Sequence, residues 1–252
     1  MDQKKLDFWN QRALSAEYPG SDDYVSQGLE QNFIIHNTPP NARVLDIGCG
    51  DGSTLKKLFL EKGINGIGAD YSSEMVQCAT KINAGNEKIS FINKSVLELS
   101  VDDLGQFDVI YTQRCLINLD SFEEQIRAIT NISSLLKPNG VFLMVENTLD
   151  GLEYTNDLRA LLGLELISPP WHNVYFRIGD LEKLKIPNFS IEKREEISST
   201  YYYISRVIYA KSAADKGEVP VYDSAINKIS TQLPQNISTC GPTKGWIWRK
   251  KG

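Results

Sequence analysis

The chain has 252 residues, 41% of them apolar, and a formal net charge of -5. That length suits one large domain with a full core, and an acidic balance does not steer toward phosphate backbones, so no nucleic-acid partner is expected. No apolar run approaches the roughly 20 residues of a membrane span, and four scattered cysteines without a CxxC pair exclude a disulfide framework or a zinc site.

The opening "MDQKKLDFWN" has no apolar h-region, which predicts no secretory leader and, with reduced thiols, a cytoplasmic setting. Residues 1–40 read as an N-terminal helical cap of one or two helices, with Leu29, Phe33 and Ile34 on one face, closed by Pro39 and Pro40. From Arg43 the pattern changes. "RVLDIG" is a short continuous apolar strand, and "STLKKLFLEKG" is an amphipathic helix with Gly63 past its end. "INGIGAD" is a second strand, followed by "SSEMVQCATKIN", a helix with Ser72 as N-cap and Glu74 in its first turn. "ISFINKS" and "FDVIYTQ" are the third and fourth strands. "SFEEQIRAITNISSLL" is a long helix that stops before Pro138, and "GVFLMVEN" is a fifth strand after the "KPNG" turn.

Strands alternating with helices over 41–150 predict an α/β fold, a doubly wound and mostly parallel sheet. Residues 151–252 are less regular and are expected to complete the sheet and form the substrate side of the same domain. There "TNDLRALLGLEL" and "YDSAINKISTQL" read as helices, and "SPPWHNVYF" as a Pro-aromatic loop. "FSIEKREEIS" reads as a strand. "TYYYISRVIYAKSAA" reads as a helix presenting Tyr201, Ile204 and Ile208 on one face, and "GWIWRKK" as a final strand whose basic "WRKK" is a solvated chain end.

Ligands of such sheets sit beyond the carboxyl ends of the strands. The loop after the first strand has glycines at 48, 50 and 52, and Ser53 where the dinucleotide fingerprint G-x-G-x-x-G needs its third glycine. Asp46 precedes the loop and Asp51 lies in it. A pyrophosphate would meet both carboxylates, whereas a cationic ligand would gain from them. Asp70, ending the second strand, can accept hydrogen bonds from both hydroxyls of a ribose. Together these point to a nucleoside, and Asp46 tilts the choice to S-adenosylmethionine, which carries a sulfonium and an ammonium and no phosphate. A nicotinamide cofactor is the disfavoured alternative.

In this order, "VLDIGCGDGS", "GIGADYSSEM", "FDVIYTQRCLINL" and "LLKPNGVFLMVEN" resemble the class I S-adenosylmethionine-dependent methyltransferases, the subgroup often labelled type 11 or methyltransferase-domain proteins, over about residues 40–150. The segments "FWNQRA…YPGSDD" and "PPWHNVYF" also resemble members associated with bacterial surface-polysaccharide biosynthesis. The resemblance implies a seven-stranded Rossmann-like methyltransferase sheet. It implies that Asp46, Gly48 and Gly50 line the methionine end of the cofactor, that Asp70 binds the ribose, and that Tyr71 and Met75 lie against the sugar or adenine. It implies Ser95 and Val96 near the adenine, with Ser95 standing where the family often has an acid. Gln113 would approach from the other side, and Arg12 would reach the cofactor carboxylate if the N-terminal helix folds over the site.

Methyl transfer needs alignment and exclusion of water, and a base if the acceptor is a hydroxyl. His172 in "PPWHN" is either that base or a hydrogen-bonded loop histidine without chemistry; His36 reads as structural or exposed. Glu146, Arg114 and Asn118 are further candidates at strand ends, with Arg114 either an anchor for an anionic acceptor or an ion-pair partner. Tyr201, Tyr202 and Tyr203 are either pocket walls or residues shared between core and surface. No metal set is expected. The "TQRC" after the fourth strand is not the Asn/Asp-Pro-Pro-aromatic motif of amino-methylating DNA enzymes. The expected acceptor is a small molecule, a sugar or a sugar-linked intermediate. The alternative is a non-catalytic nucleoside-binding partner protein, favoured by Ser95.

Overall fold

A computed structural model describes residues 2–15 and 20–252. Tyr18 and Pro19 of the "YPGSDD" segment lie outside the described residues. The first two helices are α1 (Gln3–Ser15) and α2 (Tyr24–His36). The alternating core follows as β1 (Arg43–Ile47), α3 (Ser53–Lys62), β2 (Asn65–Asp70), α4 (Ser73–Ile82), β3 (Ile89–Asn93), a short α5 (Val101–Leu104), β4 (Phe107–Gln113), α6 (Phe122–Leu135) and β5 (Leu136–Asn147). The remainder is α7 (Leu149–Leu161), α8 (Ile178–Lys183), β6 (Phe189–Glu195), α9 (Ser199–Tyr203), a π-helical turn (Ile204–Tyr209), α10 (Ala210–Ala214), α11 (Ala225–Ser230) and β7 (Thr243–Lys250).

The seven strands form one sheet in the order β3-β2-β1-β4-β5-β7-β6. The first five are parallel, and β7 runs antiparallel to both β5 and β6. This is the doubly wound sheet that the alternation predicts. The strand order reverses between β1 and β4, so the crevice for a ligand opens at their carboxyl ends. Period-two alternation then sorts the side chains of β1. Leu45 and Ile47 join the core of Ile110, Ile129 and Phe142, while Val44 joins the opposite core with Phe33, Leu58 and Tyr111. Leu29, Phe33 and Ile34 of α2 are all buried. Ser72 caps α4 by accepting the Met75 N–H at 3.1 Å. No helix among the described residues is long and apolar enough to cross a membrane.

Three expectations for the second half change. Helix α7 starts at Leu149, earlier than "TNDLRALL", because Thr148 caps it by accepting the Gly151 N–H. The 199–214 helix does not bury Ile208, which is 43% exposed; its buried positions include Tyr201, Ser205, Val207 and Ala210. The π turn widens the helix, so that Ser205 and Ala210, five apart, share the inner side. Finally, "WRKK" is not a solvated chain end. Trp248 is fully buried, its ring stacked on Phe189 at 5.2 Å, because β7 is inserted between β5 and β6. Arg249 pairs with Glu192, and Lys250 donates to the Leu136 carbonyl.

A strand that joins the parallel core to its last edge strand is a sensitive place for a cavity. Trp248→Ala is expected to lower the unfolding free energy by about 3–5 kcal/mol, read from urea denaturation at equilibrium.

Candidate functional site

A cavity of about 300 Å³ opens at the carboxyl ends of β1, β2 and β4. One end is made of backbone and buried acid. Gly48 and Gly50 border it with φ of +75° and +53°. A Cβ at Gly48 would lie 2.5 Å from Cys115 Sγ, so the loop is packed tightly from below. A Cβ at Gly50 would meet nothing within 4 Å, so its bare backbone faces open space. Asp70 borders the same end and is 7% exposed. Its Oδ2 accepts the Gly50 N–H and its Oδ1 the Ser72 N–H, both at 2.9 Å. A carboxylate offers about four acceptor sites, so these two bonds do not exhaust it. Burial raises the Asp70 carboxyl above its ordinary range, opposed by the N–H groups of Ser72, Gly50 and Tyr71. Met75 and Val96 form an apolar wall beside it, and Tyr71 and Ser95 complete that end.

The other end is aromatic. Phe8 and Trp9 of α1 meet His172, with ring centroids 4.5 and 5.5 Å away, and Trp171 stands at 5.3 Å from the same ring. His172 is 9% exposed, and its Nδ1 has no hydrogen-bond partner among the described residues. Burial, then the charges of Lys5 and Arg12, lower its pKa to about 4, so the imidazole is neutral at physiological pH. Asn118, Asn147, Asn173 and Tyr175 supply neutral polar groups around it. The aromatic contribution of α1 has a trace in the sequence, "DFW", but nothing in a single helix says which cavity it covers. Lys5 places that helix: it is 6% exposed, donates to the Asn118 carbonyl at 2.9 Å and pairs with Asp120 at 2.8 Å.

The cavity brings together Arg12, Gly48, Gly50, Asp70, Tyr71, Met75, Ser95, Val96, Gln113, Arg114 and His172 of the residues expected from sequence. Asp46 is not among them. It shares the β1 face of Val44, is 2% exposed, and its Oδ2 accepts the Tyr111 hydroxyl at 2.7 Å. Strand alternation turns it beneath the glycine loop, so it supports the loop from below and does not contact the cavity. Glu146 is likewise corrected. It is fully buried and accepts the backbone N–H groups of Cys115, Leu116 and Ile117 at 3.1, 2.9 and 3.3 Å, which makes it the clamp of the loop after β4 and not a base for an acceptor. Burial lifts it to about 7 against those same hydrogen bonds.

Arg114 borders the cavity, but its Nε donates to Glu30 Oε2 at 3.1 Å, and Gln113 Nε2 donates to the same oxygen at 2.7 Å. The ion-pair reading of Arg114 therefore describes the structure, and Glu30 is a partner that no motif marks. Arg12 borders the cavity and pairs with Asp22 at 2.8 Å. Ser95 Oγ accepts the Leu97 N–H at 3.3 Å. His36 is exposed on α2, and Tyr201 is buried in the C-terminal helix, away from the cavity walls.

Residues 39–162 match a family model described as a methyltransferase domain. Among curated proteins, the chain is 31% identical over 140 residues to the ubiquinone biosynthesis O-methyltransferase of Xanthomonas axonopodis pv. citri, covering 54% of this chain and 53% of that one. It is 30% identical over 134 residues to the phosphoethanolamine N-methyltransferase of Plasmodium falciparum, covering 52% and 50%. The chain spans about half the length of the curated relatives it matches. Among solved structures, the magnesium protoporphyrin IX methyltransferase of Synechocystis PCC 6803, with bound SAH, superposes with a TM-score of 0.61 at 16% identity, over 99% of this chain and 95% of that one. The fold is thus the Rossmann-like methyltransferase sheet.

Asp46 makes the site pH-sensitive. Burial, reinforced by the charges of Asp70 and Asp51, raises it from 3.8 to about 8, so the folded state holds a proton that the unfolded chain has lost. Its stabilisation is complete below the unfolded value near 4 and is lost as pH rises through 8. In ligand-free protein, urea unfolding at about pH 5 and about pH 8 is therefore expected to show less loss of stability for Asp46→Asn than for the wild type.

Proposed function

We propose that this chain, whose residues 39–162 match a methyltransferase-domain model, is a class I S-adenosylmethionine-dependent methyltransferase and transfers a methyl group from that cofactor to a hydroxyl oxygen of a small-molecule acceptor by in-line displacement. One observation carries the reading. The same cavity holds Asp70 with bare glycine backbone at one end and the His172 ring, packed among Phe8 and Trp9, at the other.

The residues fit the cofactor. Asp70 has acceptor capacity left for ribose hydroxyls, and Met75 and Val96 offer an apolar slot to the base. Gly48 and Gly50 let the backbone approach the methionine end without a side chain between. Asp46 lies beneath them and accepts the Tyr111 hydroxyl, and the acids Asp70 and Asp51 around the same loop favour a ligand with positive sulfur and nitrogen over a pyrophosphate. When bound, the cofactor supplies a methyl group already activated by the sulfonium. Ser95 Oγ would take the adenine amino group in place of an acid.

The protein's own contribution is alignment and dryness. Phe8 and Trp9 cover the cavity and exclude water. A hydroxyl must shed its proton as it attacks, whereas a neutral amine attacks without doing so. A neutral imidazole in the wall of the acceptor end therefore favours oxygen over nitrogen. Aromatic faces beside the amides of Asn118 and Asn173 suit the face and rim of a sugar ring, so a sugar or sugar-linked hydroxyl belongs to this reading.

Two substitutions test the two ends. Asp70→Ala is expected to abolish calorimetric binding of the demethylated cofactor; retained wild-type affinity would remove the ribose assignment. His172→Ala is expected to keep that affinity while turnover falls about 10²–10⁴-fold. Because the imidazole loses its acceptor nitrogen only on protonation, the wild-type rate should fall below about pH 4 and not between 6 and 8.

A further inference from the structure

We propose that the acceptor of this site is uncharged: a hydroxyl-bearing ring without a carboxylate, phosphate or ammonium group. The inference deepens the methyl-transfer reading and rests on it.

The formal charges around the cavity are spoken for within the protein. Arg114, the cation nearest the strand ends, gives its Nε to Glu30, whose side chain is 1% exposed. Arg12 is paired with Asp22, and Lys94 with Asp103 at 2.5 Å. An anionic acceptor would therefore have to break an existing pair or be buried without a counter-charge, which is far costlier than burying a neutral polar group. The acids are committed as well. Glu146 holds three backbone N–H groups and does not reach the cavity, and Glu30 is shared by Arg114 and Gln113. An ammonium group at the acceptor end finds no unpaired carboxylate there.

What faces the acceptor end is neutral and directional. The His172 ring lines this end, neutral, with its Nδ1 buried and without a hydrogen-bond partner among the described residues. The Tyr175 hydroxyl accepts the Asn147 amide at 3.1 Å, and its own proton has no acceptor among the described residues. The Tyr175 hydroxyl, set near the neutral His172, Phe8 and Trp9 rings, matches a hydroxyl carried on a flat or chair-shaped ring. The same device excludes the phosphate-bearing forms in which sugars are commonly carried, so a sugar acceptor would be a glycoside and not a nucleotide sugar.

The tryptophans provide the readout. Trp9 and Trp171 adjoin His172, while Trp246 and Trp248 are fully buried in the sheet, so ligand-induced quenching reports the first two. Protein saturated with the demethylated cofactor is titrated with ring compounds matched except for charge. One series is methyl para-hydroxybenzoate against para-hydroxybenzoate and tyramine. The other is methyl glucoside against glucuronate and glucose phosphate. In at least one series the neutral ring is expected to quench saturably and to bind at least about tenfold more tightly than its charged counterparts. That quenching should shrink in Trp9→Phe. The series that responds distinguishes a phenol from a sugar. A charged member binding as tightly as its neutral counterpart, or no neutral ring binding in either series, overturns the proposal.

Glu30→Gln removes the counter-charge of Arg114, and should narrow the gap for the carboxylate alone; an unchanged gap would overturn the assignment to charge pairing. Calorimetry with the demethylated cofactor on the same sample comes first. Failure there sinks the methyl-transfer reading, whereas cofactor binding followed by charge-blind ring binding sinks only this inference.

Discussion

Carboxylates buried at the carboxyl ends of parallel strands hold the loops of this site in place. Asp70, ending β2, takes the N–H of Gly50 from the loop after β1 and that of Ser72 at the start of α4. Glu146, near the end of β5, takes three consecutive N–H groups from the loop after β4. Each acid thus anchors the loop of a neighbouring strand, and the cavity is the space those loops enclose. Charge-assisted hydrogen bonds to backbone are strong when water is excluded, and leaving such donors unmet is costly. Asp46 sits beneath the same loops on its bond from Tyr111, its proton held up to about pH 8.

A cavity floored by acid selects its ligand by charge before any specific contact is made. The sheet topology alone serves phosphate-bearing dinucleotides equally well, because helix ends and glycine backbone favour anions. The buried acids reverse that preference. The α1 helix then roofs the cavity with Phe8 and Trp9, held down by the buried Lys5 on the loop after β4. Floor and roof come from segments far apart in sequence, and they leave the acceptor end dry, aromatic and neutral.

The alternating core was legible because buried parallel strands are short apolar runs and their crossover helices are amphipathic; β1 through β4 follow that reading closely, while β5 begins at Leu136 and takes in the expected "KPNG" turn. Asp70 and the glycine loop at the cavity were legible because their spacing is set by one strand-loop-helix unit. What was not legible depended on direction. Asp46 is one residue from a cavity-lining position, yet strand alternation turns it to the other face. Glu146 looked like a candidate base, but its oxygens are spent on backbone donors that leave no mark in a sequence. The charge of "WRKK" concealed a strand whose Trp248 is wholly buried. In the 199–214 helix a single wide turn moved Ile208 off the inner face, and no residue pattern announces such a turn. Glu30, which neutralises Arg114, comes from a helix more than 80 residues away in sequence.

The central claim is that this site expects a positively charged nucleoside. Calorimetric titration of the wild-type protein, with S-adenosylmethionine in one experiment and NAD in another, tests it directly. The account predicts saturable binding of S-adenosylmethionine in the micromolar range usual for enzymes and no measurable binding of NAD. Comparable binding of NAD, or none of S-adenosylmethionine, would contradict it.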